Sequence, residues 1–382
     1  MKSLNSKKVA VAMSGGVDSG VAAALLVKGG YQCTGFHMHL WSETVKDKRF
    51  ENKCCSTESL GTARKTAHQL GMLFYVLNLA RPFKKQVVDY FLKAYTAGLT
   101  PNPCVVCNQL IKFGELLNYI RKLGFDYLAT GHYARIEKNH LLMGKDKDKD
   151  QSYFLYNLKQ NQLAQILFPV GEYQKKEVMA MAKRWHLPVA HRPESQEICF
   201  LPGNDYRPFL KRHLRGSIKT GEVVDIKGQT IGQHQGLPLY TVGQRHGFTI
   251  NPKLQTPILP PYYVIGKDIK KNRLIVGFGK ETERKEFVVR NVNWVNKNCR
   301  LETLNYGLNC KVRIRHQGGL CPAKLQIQKN EIKVTLIESE RGISPGQSAV
   351  FYSDSQRGTR FPSEARSLYQ KDEVLGGGII VS

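Results

Sequence analysis

The pattern of hydrophobic positions divides the chain into two parts of different character. In the first half, short apolar runs alternate with stretches of helical periodicity. We predict strands at Lys8–Met13, Tyr31–Leu40, Leu73–Leu79 and Tyr127–Thr130, and helices at Gly20–Val27, Leu60–Leu70, Phe83–Ala97, Leu110–Leu123, Gln160–Leu167 and Lys175–Trp185. Strands separated by helices of this length predict an α/β fold with a parallel sheet built from right-handed βαβ units.

From about Gly216 onward, glycine, proline and β-branched residues become frequent and helical periodicity disappears. Short strands are predicted at Tyr262–Lys267, Arg273–Phe278, Phe287–Val292, Lys311–His316, Glu331–Ile337 and Ser348–Phe351, and polar loops at Lys145–Asp150 and Ser353–Gln370. The pattern therefore predicts three domains. They are an α/β domain over residues 1–212, a small central domain over 213–282 and an all-β, barrel-like domain over 283–382.

The net charge of the chain indicates what kind of partner it binds. The 382 residues carry a formal net charge of +26, which favours an anionic partner, and nucleic acid is the commonest one. A role of the charge in solubility alone is the alternative. No apolar run approaches the roughly 20 residues that span a bilayer, and the first residues lack the apolar core of a signal peptide. We expect a soluble, cytoplasmic protein that does not bind a membrane.

A glycine motif lies between the first predicted strand and the first predicted helix, with the sequence Ser14-Gly15-Gly16-Val17-Asp18-Ser19. Glycines at such a corner let backbone N–H groups converge on a phosphate, and the helix adds its positive end. Asp18 is a candidate ligand for Mg²⁺. The Gly-Lys-Ser/Thr ending of a Walker A loop is absent. The motif resembles instead the pyrophosphate loop (PP-loop) of the ATP pyrophosphatases, which cleave ATP to AMP and pyrophosphate.

Two cysteine motifs suggest sulfur chemistry. Cys104 and Cys107 lie in TPNPCVVCN, which we expect to be a rigid, exposed loop before the helix near Leu110. A helix N-terminus lowers the pKa of a thiol, although half of a zinc site or a structural pair remains possible. Cys199, between Ile198 and Phe200, taken alone suggests a buried strand cysteine. Taken together with Cys107, it could carry a persulfide that the other thiol attacks.

Nine motifs in one order carry a closer resemblance. They are SGGVDS, TPNPCVVCNQLIKFGELL, ATGHYARI, KDQSYFLYNL, FPVGEYQKKEV, PESQEICFLPGNDYRPFL, YTVGQRHG, KVRIRHQ and SPGQSAVFY…LGGGII. Over essentially the whole chain, this order resembles the tRNA-uridine 2-sulfurtransferase (2-thiouridylase) family. The resemblance implies an N-terminal domain of the adenine nucleotide alpha-hydrolase type, with ATP on Ala12, Met13, Ser14, Gly15, Gly16, Val17, Asp18 and Ser19 and with Met38 and Gly131 near the adenosine.

The resemblance also implies a reaction. The C2 oxygen of the wobble uridine (position 34), flipped out of the anticodon loop of tRNA, is adenylated. Cys199 holds a persulfide received from a sulfur-relay protein or a cysteine desulfurase. Cys107 is the nucleophile, attacking either the activated carbon or the persulfide, and 2-thiouridine, AMP and pyrophosphate result. Because this chemistry needs water excluded, the segment that carries Cys199 is expected to close once tRNA binds.

The family further implies which residues contact tRNA. They are Asn102, Pro103 and Cys104 near the target base, Lys149, Asp150 and Gln151, and the strand pair Arg315 and His316. Some members have aspartate at the position of Cys104, and tyrosine is usual at the position of His316. A set of three thiols, Cys104, Cys107 and Cys199, raises the alternative of an iron–sulfur cluster, which we rank below the persulfide route.

Three other classes of protein compete with this interpretation. An ATP pyrophosphatase that uses ammonia or an amino acid as its nucleophile needs neither the two cysteines nor the basic balance. A non-catalytic RNA-binding module has no use for an intact glycine motif and both cysteines. A structural zinc protein would need a second pair of ligands at zinc spacing, and none follows the first pair in the sequence.

Overall fold

The computed structural model describes residues 7–45, 48–50, 56–190, 192, 198–201, 205–251, 260–295, 307–328, 330–354 and 370–381. Within these ranges, every helix is too short or too polar to cross a membrane.

A five-stranded parallel sheet forms the centre of the N-terminal part, in the order β5-β2-β1-β6-β9. Its strands are β1 (Lys8–Ala12), β2 (Gln32–His39), β5 (Leu73–Asn78), β6 (Tyr127–Ala129) and β9 (Ile166–Leu167). Neighbouring strands pair in parallel throughout. The α/β architecture and four of the predicted strands are confirmed.

Helices cover both faces of this sheet. The α-helices of the described residues are α1 (Val17–Lys28), α2 (Thr57–Gln69), α3 (Ala80–Phe83), α4 (Asp89–Thr96), α5 (Pro103–Val106), α6 (Leu117–Lys122), α7 (Gln160–Leu163), α8 (Lys175–Arg184) and α9 (Arg207–His213). Two π-helical segments, Lys84–Val88 and Cys107–Leu116, join α3 to α4 and α5 to α6, and 3₁₀ turns occupy Ser152–Phe154, Leu237–Leu239 and Gly279–Thr282.

Two helix predictions were wrong at their boundaries. The helix predicted from Leu110 begins at Pro103, because the Asn102 side chain accepts a hydrogen bond from the Val105 amide (3.3 Å) and proline suits the first helical position. The helix predicted over Gln160–Leu167 ends at Leu163. The next apolar residues form β9, which adds an edge to the sheet beside β6.

Two hairpins in this part were not predicted, namely β3 (Glu43–Val45) with β4 (Lys48–Phe50) and β7 (Ala134–Glu137) with β8 (His140–Met143). The second hairpin turns at Lys138 and Asn139, whose φ angles are 48° and 66°. A two-residue turn with both φ angles positive matches the twist of the strands that it connects.

The remainder of the chain forms a mixed central sheet and a closed barrel. The central sheet, in the order β12-β11-β10-β14-β13, contains β10 (Gly221–Val224), β11 (Thr230–His234), β12 (Thr249–Ile250), β13 (Tyr263–Asp268) and β14 (Arg273–Gly277). The barrel, in the order β15-β18-β17-β16-β19-β20, contains β15 (Glu283–Trp294), β16 (Leu308–Arg313), β17 (Cys321–Gln328), β18 (Glu331–Arg341), β19 (Ser348–Tyr352) and β20 (Val374–Ile380).

The predicted barrel-like domain is thus confirmed, although β17 and β20 were missed. One strand prediction needs correction, since β16 ends at Arg313 and the pair Arg315 and His316 lies in the following loop. Most of the polar loop predicted over Ser353–Gln370 lies outside the described residues.

A buried ion pair joins the barrel to the α/β domain. Arg313 Nη1 donates to Asp150 Oδ2 at 2.8 Å, and the two side chains are 9% and 0% exposed. Asp150 also accepts hydrogen bonds from the Gly144 amide (2.9 Å) and from the Ser152 hydroxyl (2.9 Å). The expectation of a solvated loop over Lys145–Asp150 was therefore wrong at its last residue, because a fully satisfied carboxylate can be buried.

We expect Arg313→Met to lower the free energy of unfolding by about 3–5 kcal/mol, because it leaves the buried Asp150 carboxylate without its cation. The matched control is Arg290→Met, which removes an exposed ion pair with Glu331 on the same barrel and should cost less than about 1 kcal/mol. Urea unfolding followed by circular dichroism measures both changes. Equal losses in the two variants would contradict the importance of the buried pair.

Candidate active site

The glycine motif turns sharply between β1 and α1. Gly15 has φ +78°, and a Cβ at this position would lie 2.2 Å from the Ser59 carbonyl oxygen, so only glycine fits. Gly16 is the N-cap of α1 and has no side chain to bond the first-turn amides. The N–H groups of Val17, Asp18 and Ser19 at this helix start can therefore bind an anion.

Hydroxyl groups and a histidine stabilise the shape of this turn. Ser19 Oγ donates to the Gly16 carbonyl oxygen (3.0 Å) and accepts from the Ser14 amide (3.3 Å). His37 Nδ1 lies 2.8 Å from the Met13 carbonyl oxygen, and burial lowers the pKa of this histidine. His37 is therefore neutral at physiological pH, with its proton on Nδ1. Met38 is the next residue on β2 and is partly buried.

Two residues that sequence reasoning did not single out converge on Asp18. Lys175 Nζ lies 2.7 and 2.9 Å from the two carboxylate oxygens, and the Tyr133 hydroxyl donates to Oδ1 at 2.7 Å. Lys175 begins α8, and Tyr133 follows β6. Their only signal in the sequence was their place in the motifs FPVGEYQKKEV and ATGHYARI.

Gly131, predicted to lie near the adenosine, packs directly against the start of α1. A Cβ at Gly131 would approach the Ser19 amide nitrogen to 2.6 Å. Gln151 holds Tyr133 through two hydrogen bonds. The Gln151 side-chain oxygen accepts from the Tyr133 backbone amide (3.0 Å), and the Gln151 backbone amide donates to the Tyr133 carbonyl oxygen (2.8 Å). The structure thus connects Gln151, predicted to contact tRNA, to the glycine turn.

Cys104 and Cys107 lie within a helix and not before one. Cys104 is in the first turn of α5 and is partly buried, and Cys107 begins the π-helical segment with 9% of its surface exposed. The expected loop is therefore wrong for both cysteines, which are helical, and the expected exposure is wrong for Cys107, which is buried. π-helical turns inside α-helices are rare and frequent at functional sites.

Cys199 is partly buried and is fixed through the residue that follows it. Phe200 packs at ring-centroid distances of 5.8, 5.4 and 5.6 Å against Phe83, Phe91 and Phe209. Residues 193–197 of the predicted closing segment lie outside the described residues.

The two cysteines share one apolar cluster. Cys107 belongs to it, Cys199 packs against it, and Ala12 at the start of the glycine turn is another member. The same cluster includes Val264 of the central sheet and Val350 of the barrel, so it is the core that the three parts of the chain share.

A buried histidine and a lysine form a further polar pair that the sequence did not reveal. His132 Nδ1 lies 2.7 Å from Thr130 Oγ1, and Lys112 Nζ lies 3.5 Å from His132 Nε2. Burial, with a smaller effect of Lys112, lowers the pKa of His132 well below its ordinary value. The neutral ring accepts from the ammonium group and donates to Thr130. Lys112 lies on the same π-helical segment as Cys107.

The metal alternatives find no support in the arrangement of donors. Across the described ranges, no three His, Cys, Asp or Glu side chains are grouped as ligands of one ion. All three cysteines of the proposed iron–sulfur set lie within these ranges, as does the pair that could form half of a zinc site. Among the described residues, Cys104, Cys107 and Cys199 are therefore not grouped as a cluster site.

Of the other residues predicted to contact tRNA, His316 lies close to the segment Lys149–Gln151. The His316 ring packs against Phe154 in a tilted arrangement with centroids 4.3 Å apart, which places the loop after β16 close to the segment Lys149–Gln151. Arg315 is exposed, with its guanidinium 3.3 Å from Glu340. Lys149 is partly buried, whereas Asp150 is interior and bonded to Arg313.

Comparisons with known proteins cover nearly the whole chain. Family models match residues 7–203 (tRNA methyl transferase HUP domain), 207–278 (tRNA methyl transferase PRC-barrel domain) and 284–357 (aminomethyltransferase beta-barrel domain). Three similar proteins are each named tRNA-specific 2-thiouridylase MnmA. The protein of Chloroflexus aggregans is 46% identical over 90% of this chain and 94% of its own length. That of Chloroflexus aurantiacus is 45% identical over 97% and 98%. That of Carboxydothermus hydrogenoformans is 41% identical over 100% and 99%.

The tight turn of the glycine motif gives a direct test. Gly15→Ala combines a positive φ with a collision against the Ser59 carbonyl, so we expect a loss of about 2 kcal/mol or more in the free energy of unfolding. Gly61→Ala is the control, because this helical glycine has open space around it and alanine there should stabilise by about 0.5–1 kcal/mol. Urea unfolding of both variants provides the measurement. A Gly15→Ala variant of wild-type stability would contradict the described turn.

Proposed function

The chain belongs to the tRNA-specific 2-thiouridylase family, and from this membership we propose that it replaces the C2 oxygen of the wobble uridine of tRNA by sulfur and consumes ATP in doing so. The products are 2-thiouridine, AMP and pyrophosphate. One observation supports the proposal beyond family membership: Phe200, next to Cys199, packs on Phe83 of α3, and α3 also contacts the π-helical segment that begins at Cys107. The regions of the two thiols therefore adjoin the same helix.

In the first step, the phosphates of ATP lie against the first-turn amides of α1 and the exposed Ser14 hydroxyl. The C2 oxygen of uridine attacks the α-phosphorus, the bond from this phosphorus to the bridging oxygen breaks, and pyrophosphate leaves. Preorganised amides at a helix start stabilise the charge that develops on the phosphates. Asp18 lies in the same first turn, and short contacts with Lys175 and Tyr133 fix the position of its carboxylate. This fixed position supports a role for Asp18 at the phosphates of ATP.

The Asp18 carboxylate also fits Mg²⁺, which commonly uses one or two protein carboxylates together with substrate phosphates. Its side chain is 29% exposed at the helix start. A bound Mg²⁺ would neutralise charge on the departing pyrophosphate. The ion pair with Lys175 can hold the Asp18 carboxylate in place before Mg²⁺ binds.

In the second step, Cys199 carries a persulfide that a sulfur-relay protein or a cysteine desulfurase supplies. The Cys107 thiolate attacks the inner sulfur, a Cys107–Cys199 disulfide forms, and hydrosulfide leaves and displaces AMP from C2. In the alternative order, the outer sulfur attacks C2 first, AMP leaves, and Cys107 then releases the thiolated base. Both orders end in the same disulfide, which a thiol reductant must open before the next turnover.

We propose that Lys112 assists the Cys107 nucleophile. It lies on the same π-helical segment as Cys107, and a cation close to a thiol favours the thiolate. His132 orients this ammonium group without adding a charge of its own, since its ring is neutral.

Recognition of tRNA uses residues from the α/β domain and the barrel. Asn102, Pro103 and Cys104 are proposed to meet the target base, and Lys149, Gln151, Arg315 and His316 the surrounding loop. The net charge of +26 suits a phosphate backbone. Asp150 is proposed to act indirectly, because its buried carboxylate holds Arg313 next to this surface.

Mass spectrometry of nucleosides tests the function directly. Unmodified tRNA is incubated with ATP, Mg²⁺, a thiol reductant and either a persulfide donor protein or sulfide. We expect 2-thiouridine from the wild type, more than a hundredfold less from Cys107→Ala with either donor, and a loss in Cys199→Ala that is largest with the persulfide donor. Cys33→Ala is the control, since burial raises the pKa of this thiol to about 11 and leaves it protonated. Release of AMP without any 2-thiouridine in the wild type would refute the substrate assignment.

The contacts of Asp18 predict the behaviour of the nucleotide site. Tyr133→Phe removes a hydrogen bond to a charged carboxylate, so we expect ATP to bind about tenfold more weakly. Tyr31→Phe is the control: Tyr31 precedes β2 at the opposite end of the parallel strands from the glycine turn, so the change should leave ATP binding unchanged. Equilibrium dialysis with labelled ATP and no tRNA measures both. Unchanged affinity in Tyr133→Phe would argue against an ATP site at Asp18.

A further inference from the structure

The segment Gly98–Thr100, between α4 and the helix of Cys107, is held by hydrogen bonds from both other domains. We propose that Lys267 of the central domain is a positioning residue for the Cys107 thiol, acting through the Gly98 carbonyl group. The inference rests on the proposed function for its catalytic consequence, although its structural consequence can be measured separately.

Lys267 reaches Gly98 from strand β13. Its ammonium nitrogen lies 3.0 Å from the Gly98 carbonyl oxygen. Gly98 has φ +75°, and a Cβ there would lie 2.3 Å from Cδ1 of Ile269, so the central domain packs directly on this turn. Burial lowers the pKa of Lys267 to about 8, which leaves it mostly protonated at neutral pH. The bond to the carbonyl is then assisted by charge, and such bonds are stronger than neutral ones.

The barrel holds the same segment two residues later. The Thr100 amide donates to the Pro345 carbonyl oxygen at 2.8 Å, and Gln347 Nε2 donates to the Thr100 carbonyl oxygen at 3.2 Å. A Cβ at Gly346 would approach the Thr100 nitrogen to 2.8 Å, so the two backbones are in direct contact. With Lys267 on one side and this turn on the other, the segment has little freedom.

The segment leads to both sulfur-bearing regions. On its C-terminal side, Pro101 is buried and Asn102 caps the helix that places Cys107. On its N-terminal side, α4 supplies Phe91, which packs on Phe200 next to Cys199. A shift of the Gly98 turn would therefore change the position of Cys107 relative to the Cys199 region.

Hydrogen exchange and thiolation kinetics test the proposal with three variants. Lys267→Met removes the ammonium group and keeps the apolar stem, Lys267→Arg keeps the charge, and Lys270→Met removes an exposed lysine from the same hairpin as a control. In Lys267→Met, we expect amides of residues 98–107 to exchange about tenfold faster and those of α1 to be unchanged. We expect kcat for thiolation to fall about tenfold and KM for ATP to stay the same. Lys267→Arg should restore most of both losses.

Two results would overturn the proposal. Faster exchange throughout the chain in Lys267→Met would mean a loss of general stability and not of local position. A normal exchange rate at residues 98–107, with or without a loss of activity, would mean that the lysine does not hold this segment. If the local exchange responds as expected while the wild type thiolates no tRNA, the positioning role survives and the proposed function fails.

Discussion

The buried ion pair of Asp150 and Arg313 is the interaction on which the arrangement of the molecule depends. Arg313 is the last residue of barrel strand β16, Asp150 belongs to the α/β domain, and both side chains are buried, so water does not compensate either charge. The neighbouring Gln151 bonds both backbone groups of Tyr133, and the Tyr133 hydroxyl bonds Asp18 at the glycine turn. A short series of polar contacts therefore extends from the barrel to the glycine turn, so a displaced barrel would disturb both the surface proposed for tRNA and the groups that hold Asp18.

The site itself is assembled from segments that have no local reason to meet. The glycine turn is stable because α2 packs against Gly15, and Gly131 lies against the start of α1. Cys107 is held by a capped helix whose approach is fixed by the two other domains, and Cys199 is fixed by the aromatic contacts of Phe200. Chemistry that joins an adenylated base to a persulfide requires such fixed distances, because both reactive groups would hydrolyse or exchange in open solvent.

Local sequence signals predicted much of the fold and only part of the site. The apolar runs of the parallel sheet and the glycine turn were recognisable, because buried strands and positive-φ positions restrict residue choice strongly. The helix start at Pro103 was missed because apolar periodicity was given more weight than the Asn-Pro cap. β17 was missed because CPAKLQIQ mixes charged and apolar residues as a one-sided barrel strand does. The burial of Asp150 and the pairing of Lys175 with Asp18 could not be predicted, since each depends on a partner that only the tertiary fold brings near.

The hydrogen bonds at Thr100 limit how far the α/β domain can be separated from the two other domains. Both backbone groups of Thr100 are satisfied by the barrel, and the carbonyl of Gly98 is satisfied by the central domain. A shortened protein that ends after the α/β domain would retain every proposed catalytic residue but would leave these groups to water at the entrance of the Cys107 helix. The backbone at the entrance of the Cys107 helix thus depends on the two other domains for its hydrogen-bond partners.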